Sequence, residues 1–359
     1  MSSPACTFDT PTMTMTMTAT TTPYADGFAM PIRTAPHDAT LLAWPVRREL
    51  WGEHLYAAKE EWAQTIRAIA AFEPVTVIAN PGDADEVREH CGDVDLQEIP
   101  IDDSWVRDSG PIYVLDGKGR RAMVHFRFNG WGERYRPYER DADVPRVLAE
   151  RTGTRRYVST VNVEGGGISV DGEGTLITTR QYLANENRNP GMSEAEIAAE
   201  LRATLGIEKV IWLEHGLVED RDTDGHSDNV VQFVRPGVVL LQMAPSPENP
   251  NWERCRENRA LLEGATDARG RTLEVVEMSV LPYAEFEGES YVVPYVNYYP
   301  VNGGIIAPAV GEDDAAGFAL LGELFPDRRV VGVPSVLQAY GGGGIGCITQ
   351  QVPAGRPIP

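Results

Sequence analysis

Positive charge is scarce in this chain: 32 Lys and Arg stand against 53 Asp and Glu, a formal net charge of −21. That balance turns the electrostatic term that drives binding to nucleic acid or to an anionic membrane into repulsion, so neither is expected as a partner. A small cationic ligand is compatible with it, and so is a solvated surface kept apart by its own charge. Cysteine is nearly absent as well. Cys6, Cys91, Cys255 and Cys347 lie far apart with no C-x-x-C pair, which excludes a zinc knuckle or a disulfide framework and points to a reducing cytoplasmic compartment. No apolar run approaches the roughly 20 residues of a membrane span; Val238–Leu241 is typical of those present. The Thr/Met repeat within residues 1–22 lacks a basic start and an uninterrupted apolar stretch. It does not make a signal peptide and is expected to be a disordered extension ahead of one folded domain over 23–359.

With 42% hydrophobic residues in 359, the chain can bury a large core. Amphipathic spacing predicts helices at about 53–72, where Trp62, Ile66 and Ile69 share a face, and at 143–151, 193–205, 251–262 and 313–325. Ser193 with Glu196 has the form of a capping box. Short β-rich runs fall at 41–44, 75–78, 112–115, 122–128, 175–178, 210–213, 229–234, 238–242, 273–278, 291–296 and 329–333. Strand pairs separated by single helices, without a long linker, indicate one α/β domain of ββα-type units.

Chemistry-bearing residues gather in four glycine-punctuated segments: DDSWVRDSGP (102–111), NVEGGGISVDGEG (162–174), DTDGHSDN (222–229) and YGGGGIGCITQQ (340–351). The last also satisfies G-x-G-x-x-G, but only 13 residues follow Gly346 and three of them are proline, leaving no room for the helix and acidic residue that a dinucleotide site needs. Cys347 on its glycine run is either a small buried hydrophobe or a nucleophile, if its surroundings favour the thiolate. Asp108 can be a turn carboxylate, Glu164 a loop cap and His226 a satisfied surface histidine. Together they suggest more. His226 and Asp228, two apart on a segment read as extended, would share a face; Asp108 and Asp228 suit the planar donor fork of a guanidinium; Cys347 adds a nucleophile and Glu164 a group to fix the imidazole. A metal centre is the competing reading, but no second histidine stands in register with His226.

The strings APHDATLLAWP, DDSWVRDSGP, FNGWG, VEGGGISVDGEGT, RNP (188–190), DGHSDN with FVRPG, VNGG (301–304), ELFPDR and GGGGIGCITQQ, in this order from about Asp26 to Gln351, resemble the agmatine deiminases, in the peptidylarginine-deiminase-like branch of the guanidino-modifying (pentein) superfamily. The resemblance implies a five-bladed α/β propeller of ββαβ modules with the site in its central channel and no cofactor or metal. It implies Cys347 as nucleophile, His226 as general acid and base, Asp108 and Asp228 as guanidinium-binding carboxylates, Glu164 as the partner of the histidine and Trp105 as a wall beside Asp108. The expected reaction is deimination of a small guanidino compound, foremost agmatine to N-carbamoylputrescine and ammonia. An amidinotransferase, a deiminase of another guanidine and a non-catalytic guanidine or polyamine binder are the alternatives, and the oligomeric state, homo-oligomer included, is left open. Two positions depart from the family pattern: Gly346 stands where His commonly precedes the cysteine, and Gly191 where His or Asp commonly follows RNP. The absent side chain at Gly346 is expected to widen the pocket or move the thiol pKa, and with it the substrate preference.

Overall fold

The computed structural model describes residues 21–311 and 314–359; the extension read over residues 1–22 falls almost wholly outside them. The chain is a mixed α/β fold in which one pattern recurs five times: two antiparallel strands, a helix, then a strand parallel to the second. Ile112–Asp116 and Arg120–Arg127 pair antiparallel, and Arg156–Asn162 returns parallel after the helix Glu139–Thr152. Ser169–Val170, Thr175–Thr179 and Lys209–Leu213 repeat it around the helix Glu194–Leu205. Val231–Arg235, Val238–Gln242 and Glu274–Met278 do so around Trp252–Leu262. Tyr299–Val301, Gly304–Ala309 and Arg329–Pro334 follow, around Asp314–Leu324. The fifth unit joins the two ends of the chain. Thr349–Pro353 lies antiparallel to His37–Ala43, which runs parallel to Val75–Ala79 after the helix Leu55–Ala70.

Local sequence accounts for most of these elements. Ser193 and Glu196 form the reciprocal capping box, and the same helix stops at Gly206 in the left-handed conformation. Helix Leu55–Ala70 buries Trp62, Ile66 and Ile69 in the largest apolar cluster, and VVLLQ at 238–242 is buried at every position, as a central strand with both faces covered must be. Some expectations need correction. The run 291–296 is not one strand: the strand ends at Val292 and a helical turn covers Tyr295–Asn297, because Pro294 between them has no N–H for a ladder. The strand placed at 229 starts at Val231, after a helical turn at Ser227–Asn229. The helix expected at 143 begins at Glu139, with Glu139 and Asp141 in its first turn, where the positive helix end favours them. No helix among the described residues is long and apolar enough to cross a membrane.

One feature of the repeat positions the site. A single helical turn immediately precedes the first strand of each unit: Val106–Ser109, Gly165–Gly167, Ser227–Asn229, Tyr295–Asn297 and Ile345–Ile348. Each turn touches the next and the last touches the first. The five close a ring, which gathers the residues at or beside them into one region.

Candidate active site

Four of these turns carry or adjoin the polar residues singled out in the sequence: Asp108, Glu164, His226 with Asp228, and Cys347. The fifth carries Asn297. The ring thereby brings together side chains separated by up to 239 positions in the chain, and all of them are buried. A pocket opens onto this group, lined by Cys347, Asp108, Trp105, Trp131, Tyr135 and Asp222 among others. Trp105 lines this pocket together with Asp108, and it is held by stacking on Trp51 and by an edge contact with Trp62.

His226 is fully buried. Its Nε2 lies 2.7 Å from Glu164 Oε2, its ring packs edge-on against Tyr182 at 4.6 Å, and its Nδ1 has no hydrogen-bond partner but stands 3.8 Å from Asp108 Oδ1. Burial by itself would push the imidazole pKa down. The carboxylates of Asp108, Glu164 and Asp228 outweigh burial and raise it to about 9. Glu164 is in turn fixed by Arg188, whose Nε and Nη2 donate to its two oxygens at 2.6 and 3.2 Å; although burial opposes its charge, Arg188 and His226 hold its pKa below the usual carboxylate range. The segment 226–228 is not extended throughout. His226 precedes the helical turn that carries Asp228, so both reach the centre through a tight turn rather than strand alternation.

The two aspartates are electrostatically uncomfortable. Asp108 accepts from Trp131 Nε1 and from the Gly166 N–H, both at 2.9 Å, yet burial raises its pKa. Asp228 has an Oδ1 with no partner, and burial lifts its pKa to about 6, with Asp108 adding repulsion and His226, Arg33 and Arg107 opposing it. A buried carboxylate with a donorless oxygen, close to a second buried carboxylate, is the natural seat of a cation that brings its own N–H groups. Gly166 sits among them with no space for more: a Cβ there would lie 2.7 Å from His226 Nδ1 and 2.8 Å from Asp108 Oδ1.

Cys347 Sγ lies 3.7 Å from Asp228 Oδ2 and accepts from Asn297 Nδ2 at 3.4 Å. Burial first, then the charges of Asp228 and Asp108, push its pKa well above the ordinary thiol value, so the ligand-free site holds a thiol. Gly346 faces away from the pocket: its N–H donates to Asn297 Oδ1 at 2.7 Å, its carbonyl accepts from Arg33 and Arg107, and a Cβ would meet Asn297 and Arg33. The missing side chain therefore does not widen the pocket. Gly191 has open space where a Cβ would stand.

Sequence reasoning missed Asn297 and gave no role to Arg188 or Trp131. Trp131 and Arg188 lie in FNGWG and RNP, strings already singled out, whereas Asn297 sits in an unremarkable PYVNYYP and becomes visible only through the ring.

Known proteins match the chain along most of its length. The family model of the Porphyromonas-type peptidyl-arginine deiminases matches residues 29–353. An agmatine deiminase of Ectopseudomonas mendocina is 43% identical, with 93% of this chain and 98% of that protein aligned; one of Pseudomonas aeruginosa is likewise 43% identical over 93% and 98% of the two chains. The solved structure of the agmatine deiminase of Enterococcus faecalis superposes with a TM-score of 0.89 at 31% identity, covering 93% of this chain and 98% of that one. On the extent of these matches, the chain belongs to the Porphyromonas-type peptidyl-arginine deiminase family.

Proposed function

We propose that this protein is an agmatine deiminase, hydrolysing a guanidinium C–N bond to give N-carbamoylputrescine and ammonia by covalent catalysis on Cys347. The observation that carries this reading is the convergence, beside an aromatic-walled pocket lined by Cys347 and Asp108, of a buried thiol, a buried imidazole of raised pKa and two buried carboxylates, one of which, Asp228, has an oxygen without a donor. The guanidinium takes its place between Asp108 and Asp228, whose oxygens receive its N–H groups. Its positive charge neutralises the field that keeps the thiol protonated, so the thiol releases its proton to solvent and the thiolate forms as the substrate binds. Sγ then adds to the guanidinium carbon. Protonated His226 gives the proton on Nδ1 to the departing nitrogen, which leaves as ammonia, and an S-alkylthiouronium remains on the cysteine. Water attacks that carbon while His226 takes up one of its protons; collapse breaks the C–S bond, releases the ureido product and regenerates the thiol. Glu164, anchored by Arg188, keeps Nε2 engaged so that Nδ1 faces the reacting atoms. Polarisation and proton transfer are thus supplied by side chains alone.

The same reading covers the finer architecture. The five repeated units and their ring of turns support a five-bladed propeller of ββαβ modules, one catalytic domain over 23–359, with the site in its central channel.

The test is ammonia and ureido-product formation from a panel of guanidines by the wild-type protein, Cys347→Ala and Cys347→Ser. Release from agmatine by wild type, with a loss of about a thousandfold or more in both variants, is expected of a covalent nucleophile. Transfer of the amidino group to an added amine in place of hydrolysis would instead identify an amidinotransferase, and undiminished turnover by the variants would end the cysteine mechanism.

A further inference from the structure

We propose that Arg33 is a positioning residue for the reaction: it braces the turn of the nucleophile on the side away from the substrate pocket and sets a positive charge against Asp228. The inference rests on the deiminase reading above and deepens it. Arg33 lies outside the ring of turns and does not line the substrate pocket. Its Nη2 donates to the Gly346 carbonyl at 3.2 Å and its Nη1 to Gln232 Oε1 at 3.1 Å. Arg107 donates to the same carbonyl through Nε at 3.2 Å, and through Nη2 to Gln351 Oε1 at 2.8 Å. Two guanidinium groups thus meet on one oxygen, in the residue next to Cys347. Neither forms an ion pair among the described residues, and burial, with the charge of Arg33 beside it, pushes the Arg107 pKa down to about 9. Two like charges held together away from water are costly. The anion they share is Asp228: all three residues line one cavity of about 20 Å³, which has no lining residue in common with the substrate pocket. Arg33 Nε and Asp228 Oδ1, a donor and an acceptor, are each buried without a hydrogen-bond partner.

Three strings that have no part in the chemistry hold Arg33 in place. In APHD, His37 Nε2 donates to the Arg33 carbonyl at 2.9 Å, and its Nδ1 lies 3.0 Å from Glu73 Oε1. In VNGG, Asn302 locks that histidine: its Nδ2 donates to the His37 carbonyl, its Oδ1 accepts from the His37 N–H, and its own N–H donates to Glu73 Oε2. In ELFPDR, Arg328 donates to the carbonyls of Thr34 and Val301. The guanidinium of Arg33 lies over the Tyr299 ring, 5.3 Å from its centre, and the Tyr299 hydroxyl bonds Thr40, which donates to Glu73. A long, flexible side chain is therefore fixed at its base by three segments and at its tip by Gly346, Gln232 and Tyr299. Support of this kind is what a group needs when its direction matters.

The charged groups that face Asp228 are His226, Arg33 and Arg107, which favour its ionised form, and Asp108, which opposes it; the Cys347 sulfur lies 3.7 Å from its Oδ2. Loss of the Arg33 charge leaves the carboxylate easier to protonate, so the pH below which it no longer holds a guanidinium should rise. The experiment measures kcat/KM for agmatine from about pH 5 to 9 with wild type, with Arg33→Gln, which keeps a donor without the charge, and with Arg33→Lys, which keeps the charge without the fork. In Arg33→Gln the acid limb should move up by about one pH unit, a loss of about tenfold below the limb and of less at about pH 8. Arg33→Lys should keep the wild-type limb and lose about three- to tenfold at every pH, the range of a weakened hydrogen bond. A purely structural brace would lower activity by the same factor at every pH. An unmoved limb in Arg33→Gln, or one that moves equally in both variants, would therefore overturn the assignment. If Arg33→Gln does not fold, Arg33→Lys carries the test, and a limb displaced upward with the charge retained would overturn it. A wild type that releases no ammonia from agmatine would overturn the deiminase reading instead, a result distinguishable from the others because they need an active wild type.

Discussion

Replacing Asp228 by Asn should make the protein more stable and nearly inactive at once. The carboxylate is fully buried, its Oδ1 has no partner, and its pKa is lifted from 3.8 to about 6, burial being the largest cause. A raised carboxylate pKa means the folded protein holds the proton more tightly than the unfolded chain. Its stabilising contribution is complete below the unfolded value of 3.8 and is lost as pH rises through about 6, so at pH 7 the ionised group is a standing cost. At 1.36 kcal/mol per pKa unit the cost is on the order of 3 kcal/mol. Asn is nearly isosteric and does not ionise, so the variant should unfold a few °C above wild type at pH 7 to 8, and the gap should close towards pH 3 to 4. Thermal unfolding of the ligand-free proteins across that range measures it. Turnover of agmatine should fall in the same variant, because one partner of the bound guanidinium has lost its charge; truncation of a buried charge pair costs about 2–5 kcal/mol. A variant no more stable than wild type at pH 7, or a stability gap independent of pH, would refute the electrostatic argument. Full activity would refute the guanidinium assignment.

Glu164→Gln removes a carboxylate that helps hold the His226 pKa at about 9; the proton that His226 donates should then be lost at lower pH, and the alkaline limb of the kcat/KM profile should move towards neutrality, whereas an unmoved limb would show that Glu164 does not govern the imidazole. Gly166→Ala places a methyl within 2.7–3.1 Å of His226, Asp108 and Asp228. Displacement of these groups by a fraction of an ångström or more should reduce kcat/KM by about a hundredfold with the circular-dichroism spectrum retained, and normal turnover would mean that the three groups are not held as the structure has them.

Local sequence determined much of this protein. The helix at 194–205 is written in Ser193, Glu196 and Gly206, most strands follow their β-branched runs, and the segments around Asp108, Glu164, His226 and Cys347 announced chemistry because glycine and ionisable residues are seldom crowded together without a close approach to make. Short-range rules govern these features, so one chain suffices to read them. Other features arise only when the ends of the chain meet. Thr349–Pro353 completes a sheet with His37–Ala43, Arg107 reaches Gln351 across 244 positions, and the five turns close their ring. Asn297 has no motif because its meaning lies in being the fifth member of that ring, beside the Cys347 sulfur. The placement of Gly346 against Asn297 and Arg33, away from the pocket, was equally out of reach, since sequence gives a residue's neighbours along the chain and not the direction in which its Cβ would point. The protonation states belong to the tertiary structure as well. A thiol, an imidazole and two carboxylates have ordinary pKa values in an unfolded chain; mutual field and lost solvent, both properties of a shared buried space, push the thiol up, the imidazole to about 9 and Asp228 to about 6.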